Sequence, residues 1–314
     1  MSNGFHEIIT LFNSINLYDE IKVSFSDKGE DKFVYSYDEK IPYKPVLNWD
    51  NGNTMYRVWD EFKRRYDLSS SINIELKKHI PPQSGLGGSS SDAAALINLL
   101  GEKFELDYEQ RLEIASLVGS DVSFLIKGGT AIGLEKGDIL RQLDTLPEYK
   151  VLLIQPGFTF STPEMYQQID LMKFDDWEML EDIENANDFE EDVPEENIKD
   201  EVLNDWEDDE VDAWNPYDEI TRLHSNLLEN ESVLTFNDFE IAAQKSCDEY
   251  EEFRKMFYDI RSENILLKSM TGSGSAHFIL FSDNADDKEI DNIMGSFIAN
   301  GCWVKRTTLS SGEE

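Results

Sequence analysis

Between residues 8 and 37, apolar and polar positions alternate in three runs, IITLFNSI, IKVSFS and FVYSY. A period of two sends successive side chains to opposite faces, so these runs predict strands. The period then changes. Met55, Val58, Trp59 and Phe62 recur at helical spacing within Asn53–Tyr66, which predicts a helix with Asn53 as its N-cap. Ser71–Lys78 alternates again as a strand, and a helix-like run follows over Asp92–Phe104. Another helix is predicted over Tyr108–Val118, stopping near Gly119, with short strands at Thr130–Gly133 and Ile139–Leu143. A strand at Tyr149–Gln155 opens a second half, and Ser161–Asp170 reads as a helix with Thr162-Pro163 near its start. Near the end, LLKSM, HFILF and WVKRTTL read as strands, interleaved with helices at Asp248–Arg261 and Asp286–Ala299. That order suits an α+β sandwich in which one antiparallel sheet carries helices on one face.

With 314 residues the chain is long enough for two domains, and 40% hydrophobic content can fill their cores. The boundary falls at residues 148–149, giving domains 1–148 and 149–314. Charge changes the picture more. The net charge is −37, from 65 acidic and 28 basic residues, so the surface repels nucleic acid and anionic membrane. Residues 174–219 hold 22 of the acids and one basic residue, Lys199. Such a run usually stays solvated, so it reads as an acidic surface insertion, with Trp177, Phe189, Trp206 and Trp214 able to pin it to the body or meet a partner. The remaining acidity also suits a high-salt interior. Cys247 and Cys302 are far apart and fit no metal or disulfide pattern, which favours a reduced, cytoplasmic setting. The first residues lack the basic head and apolar core of a signal peptide, and no apolar run approaches the roughly 20 residues of a membrane span. The expectation is a soluble protein. Oligomeric state is not legible.

The stretch PPQSGLGGSSSDAAA, residues 81–95, carries the strongest chemical signal. Glycines let backbone amides approach a ligand closely, and the first amides of a helix have no partner inside it. A glycine-rich turn opening onto such amides is an anion site, most often for phosphate. No Gly-Lys-Ser/Thr follows, so it is not a Walker A loop. A flexible serine linker is the bland alternative, but linkers seldom lead straight into a run such as AAALINLL.

MTGSGSAHFILF, Met270–Phe281, holds a second glycine cluster between two strand-like runs. Alone it reads equally as an ordinary hairpin loop. Beside the first loop it suits a second clamp on the same phosphates. In GSDVSFLIKGGTAIG, Asp121 follows a helix end and enters an apolar stretch. It is either a structural cap or a group that orients an attacking hydroxyl and takes its proton.

Seven segments in order, NGFHEIITLFNSINLYDEI, NTMYRVWD, IPPQSGLGGSSSDAAALI, GSDVSFLIKGGTAIGLEKGD, PGFTFSTPEMY, NDFE at Asn237–Glu240 and MTGSGSAHF, resemble the GHMP kinase superfamily. That group includes galactokinase, homoserine kinase, mevalonate kinase and phosphomevalonate kinase. The start, the GSDVSF segment and NDFE are most similar to the branch that acts on a cytidyl-linked methylerythritol in the non-mevalonate isoprenoid route. The resemblance implies a ribosomal-S5-like first half and a ferredoxin-like second half. It implies transfer of the ATP γ-phosphate, with Mg²⁺, to the 2-hydroxyl of the methylerythritol unit.

The resemblance also implies site residues. Asp121 matches the catalytic aspartate and touches substrate. Pro82, Ser84, Gly85, Leu86, Gly87, Gly88, Ser89, Ser90 and Ser91 match the triphosphate loop, with Gly272, Ser273 and Gly274 opposite. Lys78 matches a basic residue before the loop, and Asn53 a residue near adenine. Phe5 matches an aromatic stacked on cytosine, Tyr166 the opposite plate, and His6 the hydrogen-bonding partner of the cytosine edge. Stacking of each base face is worth roughly 1–3 kcal/mol. Any of Ser89, Ser90 and Ser91 can serve Mg²⁺. Family members carry a Pro-Ala-Lys-x-Asn strand ahead of the segment matching Gly4–Glu7, with a lysine that helps position the hydroxyl; the sequence in hand begins Met1-Ser2-Asn3-Gly4. Two other readings stay open: a kinase-like nucleotide binder without turnover, and a GHMP kinase for a different small alcohol.

Overall fold

The computed structural model describes residues 6–27, 29–172, 216–235 and 237–312. The acidic run therefore lies outside the described residues up to 215, as does Phe5.

A three-stranded sheet, ordered β2-β4-β3, occupies the first half: β2 (Glu20–Ser26), β3 (Lys32–Tyr37) and β4 (Ser71–Lys78). The central strand β4 buries Ile72, Ile74 and Leu76 against helices α1 (Thr54–Tyr66), α2 (Gly88–Lys103), α3 (Tyr108–Val118) and α4 (Ser120–Leu125). The predicted face of α1 is the buried one, with Met55, Val58, Trp59 and Phe62 at 2% exposure or less. Asn53 caps it, its Oδ1 accepting from the amides of Met55 and Tyr56. Asp107 and Gln110 close a capping box on α3.

The larger sheet is ordered β6-β5-β1-β10-β7-β9-β8. It draws β1 (Thr10–Ile15), β5 (Thr130–Leu134) and β6 (Ile139–Gln142) from before residue 148, and β7 (Lys150–Gln155), β8 (Ile265–Met270), β9 (His277–Phe281) and β10 (Trp303–Ser310) from after it. Each of its pairings is antiparallel. One face packs on α5 (Thr162–Leu171), α7 (Phe239–Ser246), α8 (Asp248–Tyr258) and α9 (Asp287–Ala299), through Leu152, Ile154, Ile279 and Phe281.

Helices on one face were expected, but α6 (Pro216–Leu228) covers the other, where Val151 and Leu153 meet Leu223 and Leu227. The unbroken apolar run of β7 needs cover on both sides, unlike an alternating strand. Two further differences bear on the site. The helix expected from Asp92 starts at Gly88, inside the glycine-rich segment. The apolar stretch that Asp121 enters is a separate short helix, α4, with Asp121 in its first turn.

Candidate active site

The first glycine loop is built by its own backbone and by what it leans on. Gly87 precedes α2 in the left-handed region, at φ 67°, where a side chain is strained. Ser91 N–H donates to Gly87 O and closes the first helical turn. The amides of Gly88, Ser89 and Ser90 come before that bond, and among the described residues they have no backbone partner. These three free donors at a helix start can bind phosphate oxygens.

The second glycine cluster docks directly on the first. Ser84 is buried, and its carbonyl accepts from Ala276 N–H at 3.1 Å and Thr271 Oγ1 at 2.9 Å. A Cβ on Gly85, whose φ is 74°, would lie 2.0 Å from Thr271 O. Glycine there lets two backbones close on each other where Ser84 and Thr271, 187 residues apart in the chain, are bonded. Ser273 Oγ meets Thr162 Oγ1 at 2.7 Å, tying the turn to the start of α5. Pro82 and Leu86 are half-buried flanks of the loop.

Beneath the loop Lys78 is 4% exposed. Its ammonium pairs with Asp19, pairs with Asp92 at 2.7 Å and donates to Gly88 O at 3.2 Å. Asp19 also accepts from the amides of His79 and Ile80, fixing the chain just before the loop. Burial raises the Asp92 carboxyl, and nearby Asp19 adds to the rise against the pull of Lys78. Lys78 is thus a strut under the loop, its donors already spent. Asn53 is likewise engaged: besides capping α1 it donates through Nδ2 to Asn48 O. The next residue ties α1 to the loop, Thr54 Oγ1 donating to Ser89 O at 2.7 Å.

Asp121 is different. It is exposed, and among the described residues no hydrogen bond or ion pair involves its side chain. Gly119, not Asp121, stands at the cap position of α4. The crowding of protein around the carboxyl nevertheless strips enough water from it to raise its pKa. Tyr166 is close enough that, after burial, the Asp121 charge is a cause of its raised phenol pKa. Tyr166 packs its edge on Phe239 and its face on His6, with ring centres 4.5 Å apart and planes at 16°. His6 Nε2 also lies 3.4 Å from Asp170. The expected edge-binder of cytosine therefore covers the Tyr166 face expected to stack on it.

The structure thus brings together Asp121, Tyr166 and His6, and separately the two glycine clusters, while Lys78 supports the loop and Asn53 caps α1. Asp19, Asp92 and Thr54 were missed as supports, because nothing local marks a pairing across 59 residues, as between Asp19 and Lys78. A separate cavity of about 400 Å³, lined by Leu17, His79, Trp303 and Arg306 among others, contains none of the expected site residues.

The GHMP kinases N terminal domain matches residues 53–129, which span the loop and Asp121. A 4-diphosphocytidyl-2-C-methyl-D-erythritol kinase of Petrotoga mobilis is 31% identical over 279 residues, 87% of this chain and 89% of that protein. One from Thermotoga maritima is 40% identical over 165 residues, 52% of this chain and 57% of that protein. The chain thus spans little more than half the length of that Thermotoga relative. A crystal structure of 4-(cytidine 5'-diphospho)-2C-methyl-D-erythritol kinase superposes with a TM-score of 0.67 at 22% identity, over 99% of this chain and 93% of that one. With the near-full-length Petrotoga match, the α+β fold and the loop geometry in agreement, this chain belongs to the 4-diphosphocytidyl-2-C-methyl-D-erythritol kinase family of GHMP kinases.

Proposed function

We propose that the chain transfers the γ-phosphoryl group of ATP to the 2-hydroxyl of 4-(cytidine 5'-diphospho)-2-C-methyl-D-erythritol, in isoprenoid precursor synthesis. The observation that carries the reading is an unpaired carboxylate, Asp121, close to an aromatic pair, within a chain that also presents three free helix-start amides. The amides of Gly88, Ser89 and Ser90 hold phosphate oxygens, and Gly272–Gly274 closes the cradle from the opposite side. Asp121 orients the hydroxyl and takes its proton as the oxygen bonds to the γ-phosphorus and the bond to the departing ADP breaks. Positioning supplies most of the rate. Tyr166 stacks on the cytosine once His6 swings from its face to the base edge.

Magnesium fits this site as an ion held chiefly by nucleotide phosphates, which asks few protein oxygens. Among the described residues the Ser89 and Ser90 hydroxyls are the free ones, since Ser91 Oγ donates to Gly88 O at 2.9 Å. When bound, the ion neutralises charge on the transferring phosphate. A cytoplasmic setting suits an ATP consumer whose Cys247 and Cys302 are free thiols. Among the described residues, no helix is long and apolar enough to cross a membrane.

The test is ATP consumption by the chain with the cytidyl substrate, with mevalonate and with homoserine. Consumption only with the cytidyl compound, yielding a 2-phosphate by phosphorus NMR, is expected. Turnover of mevalonate or homoserine alone would replace this reading with that of another GHMP kinase. ATP binding without turnover of any alcohol would leave a nucleotide binder.

A further inference from the structure

The NDFE segment, Asn237–Glu240, lies far from the glycine motifs in sequence and has no role in the reading above. In the structure it grips the second glycine turn. Asn237 Nδ2 donates to Met270 O at 3.1 Å and to Gly272 O at 2.7 Å, while its Oδ1 accepts from Phe239 N–H at 3.0 Å. Two carbonyls on the nitrogen and an amide on the oxygen are compatible with only one orientation of the side chain. Glu240, one turn along at the start of α7, takes the other end of the same residue: its Oε1 accepts from Met270 N–H at 3.0 Å. Its carboxylate is buried, accepts from Tyr258 Oη at 2.7 and 2.8 Å, and has no salt-bridge partner among the described residues. A buried acid held chiefly by hydrogen bonds, with Arg254 acting on it only through its charge, is costly to keep, so it marks a position where geometry is worth that cost. Burial accordingly raises its carboxyl.

The peptide plane links this grip to the ligand. In a trans peptide the C=O of one residue and the N–H of the next point opposite ways. Holding Gly272 C=O on Asn237 therefore turns the Ser273 N–H away from Asn237. That amide has no partner among the described residues, whereas Gly274 N–H is spent on Thr271 O. On the far side, Thr271 and Ala276 lock the same turn to Ser84.

We propose that Asn237 is a positioning residue of the phosphate cradle. By fixing the Gly272–Ser273 peptide it aims the Ser273 amide as a fourth donor for the anionic phosphates of a nucleoside di- or triphosphate, and Glu240 holds the strand end that carries the turn. This rests on the nucleotide reading of the first loop.

The test is calorimetric titration of the full chain with ADP and with adenosine, for the parent, Asn237→Ala and Asn237→Ser. Serine keeps a cap for Phe239 N–H but is too short to reach Gly272, so it separates loss of the grip from loss of folding. Thermal unfolding of each variant accompanies the titrations. Both variants are expected to lose about tenfold in ADP affinity, the scale of one hydrogen bond to a charged group, with adenosine affinity unchanged. The KM for ATP should rise by a similar factor, and the KM for the cytidyl substrate should not move. An Asn237→Ser chain that folds like the parent and binds ADP equally well would overturn the proposal. So would equal losses for ADP and adenosine. A parent that binds ADP no more tightly than adenosine would overturn the nucleotide reading itself, and this proposal with it.

Discussion

Asp92 and Asp121 stand on the packed helices α2 and α4, and burial pushes both carboxyls above the ordinary range. Everything else about them is opposite. Asp92 is 6% exposed and answered by Lys78 at 2.7 Å, under the phosphate loop. Asp121 is open to solvent and answered by nothing among the described residues, beside Tyr166. A raised carboxyl thus does not by itself tell the two apart. Whether the charge has a partner tells a support from a reactive group, and partnership is a property of the fold.

The sharpest way to break this contrast is to neutralise each side in turn. Asp121→Asn should lower kcat by about 10²–10⁴-fold, the usual worth of a positioned base, with the KM for ATP nearly unchanged. Thermal unfolding at pH 7 should show no loss of stability and a small gain. The sign follows from the raised pKa: the folded state favours the protonated acid, so an ionised Asp121 opposes folding, and a neutral amide removes that opposition. An Asn variant with the parent's kcat would remove Asp121 from the chemistry.

On the other side, Lys78→Met leaves Asp19 and Asp92 buried with no cation. Breaking a buried pair in this way costs about 3–5 kcal/mol, read by urea unfolding at pH 8. Because the folded Asp92 carboxyl is raised, stability contributed by its protonation appears as pH falls through its folded pKa. The variant should therefore recover stability on acidification more steeply than the parent. Equal slopes would show that the lysine is not what holds those charges.

Gly85→Ala sharpens the comparison from the loop between them. The new methyl group would meet Thr271 O, and a side chain at positive φ adds strain of about 1–2 kcal/mol. Separation of the two glycine clusters should raise the KM for ATP, while Asp121 keeps its place and kcat at saturation changes less. The smallest effect is on the parent's pH profile. Its kcat should decline towards acid with a midpoint above the ordinary aspartate value of 3.8, because the base works only when ionised and burial raises its pKa. A profile flat down to pH 4 would contradict it.

Much of this was legible in the chain alone. The glycine-rich stretch between a strand and a helix was visible as a turn with free helix-start amides, and α1, with its apolar face and Asn53 cap, was readable to its ends. The start of α2 was not. Gly88–Ser91 has poor helix propensity, yet it forms the first turn, supported by Lys78 on Gly88 O and Thr54 on Ser89 O. On spacing alone Asp121 read first as a cap, and only the family resemblance pointed to a reactive role, since a carboxylate near a helix start is the same pattern in either. The NDFE segment was visible as a motif without a task, because the carbonyls it holds lie 33 and 35 residues onward.

By itself the sequence determined what depends on neighbours along the chain: periodicity, caps, and the glycines that let amides turn outward. Only the tertiary structure decided which charges are answered, that the two glycine clusters close on each other through Ser84 and Thr271, and that His6 rests on Tyr166. The reason is physical. Periodicity and capping are set within a few residues, whereas desolvation and pairing depend on what the folded chain brings near from elsewhere.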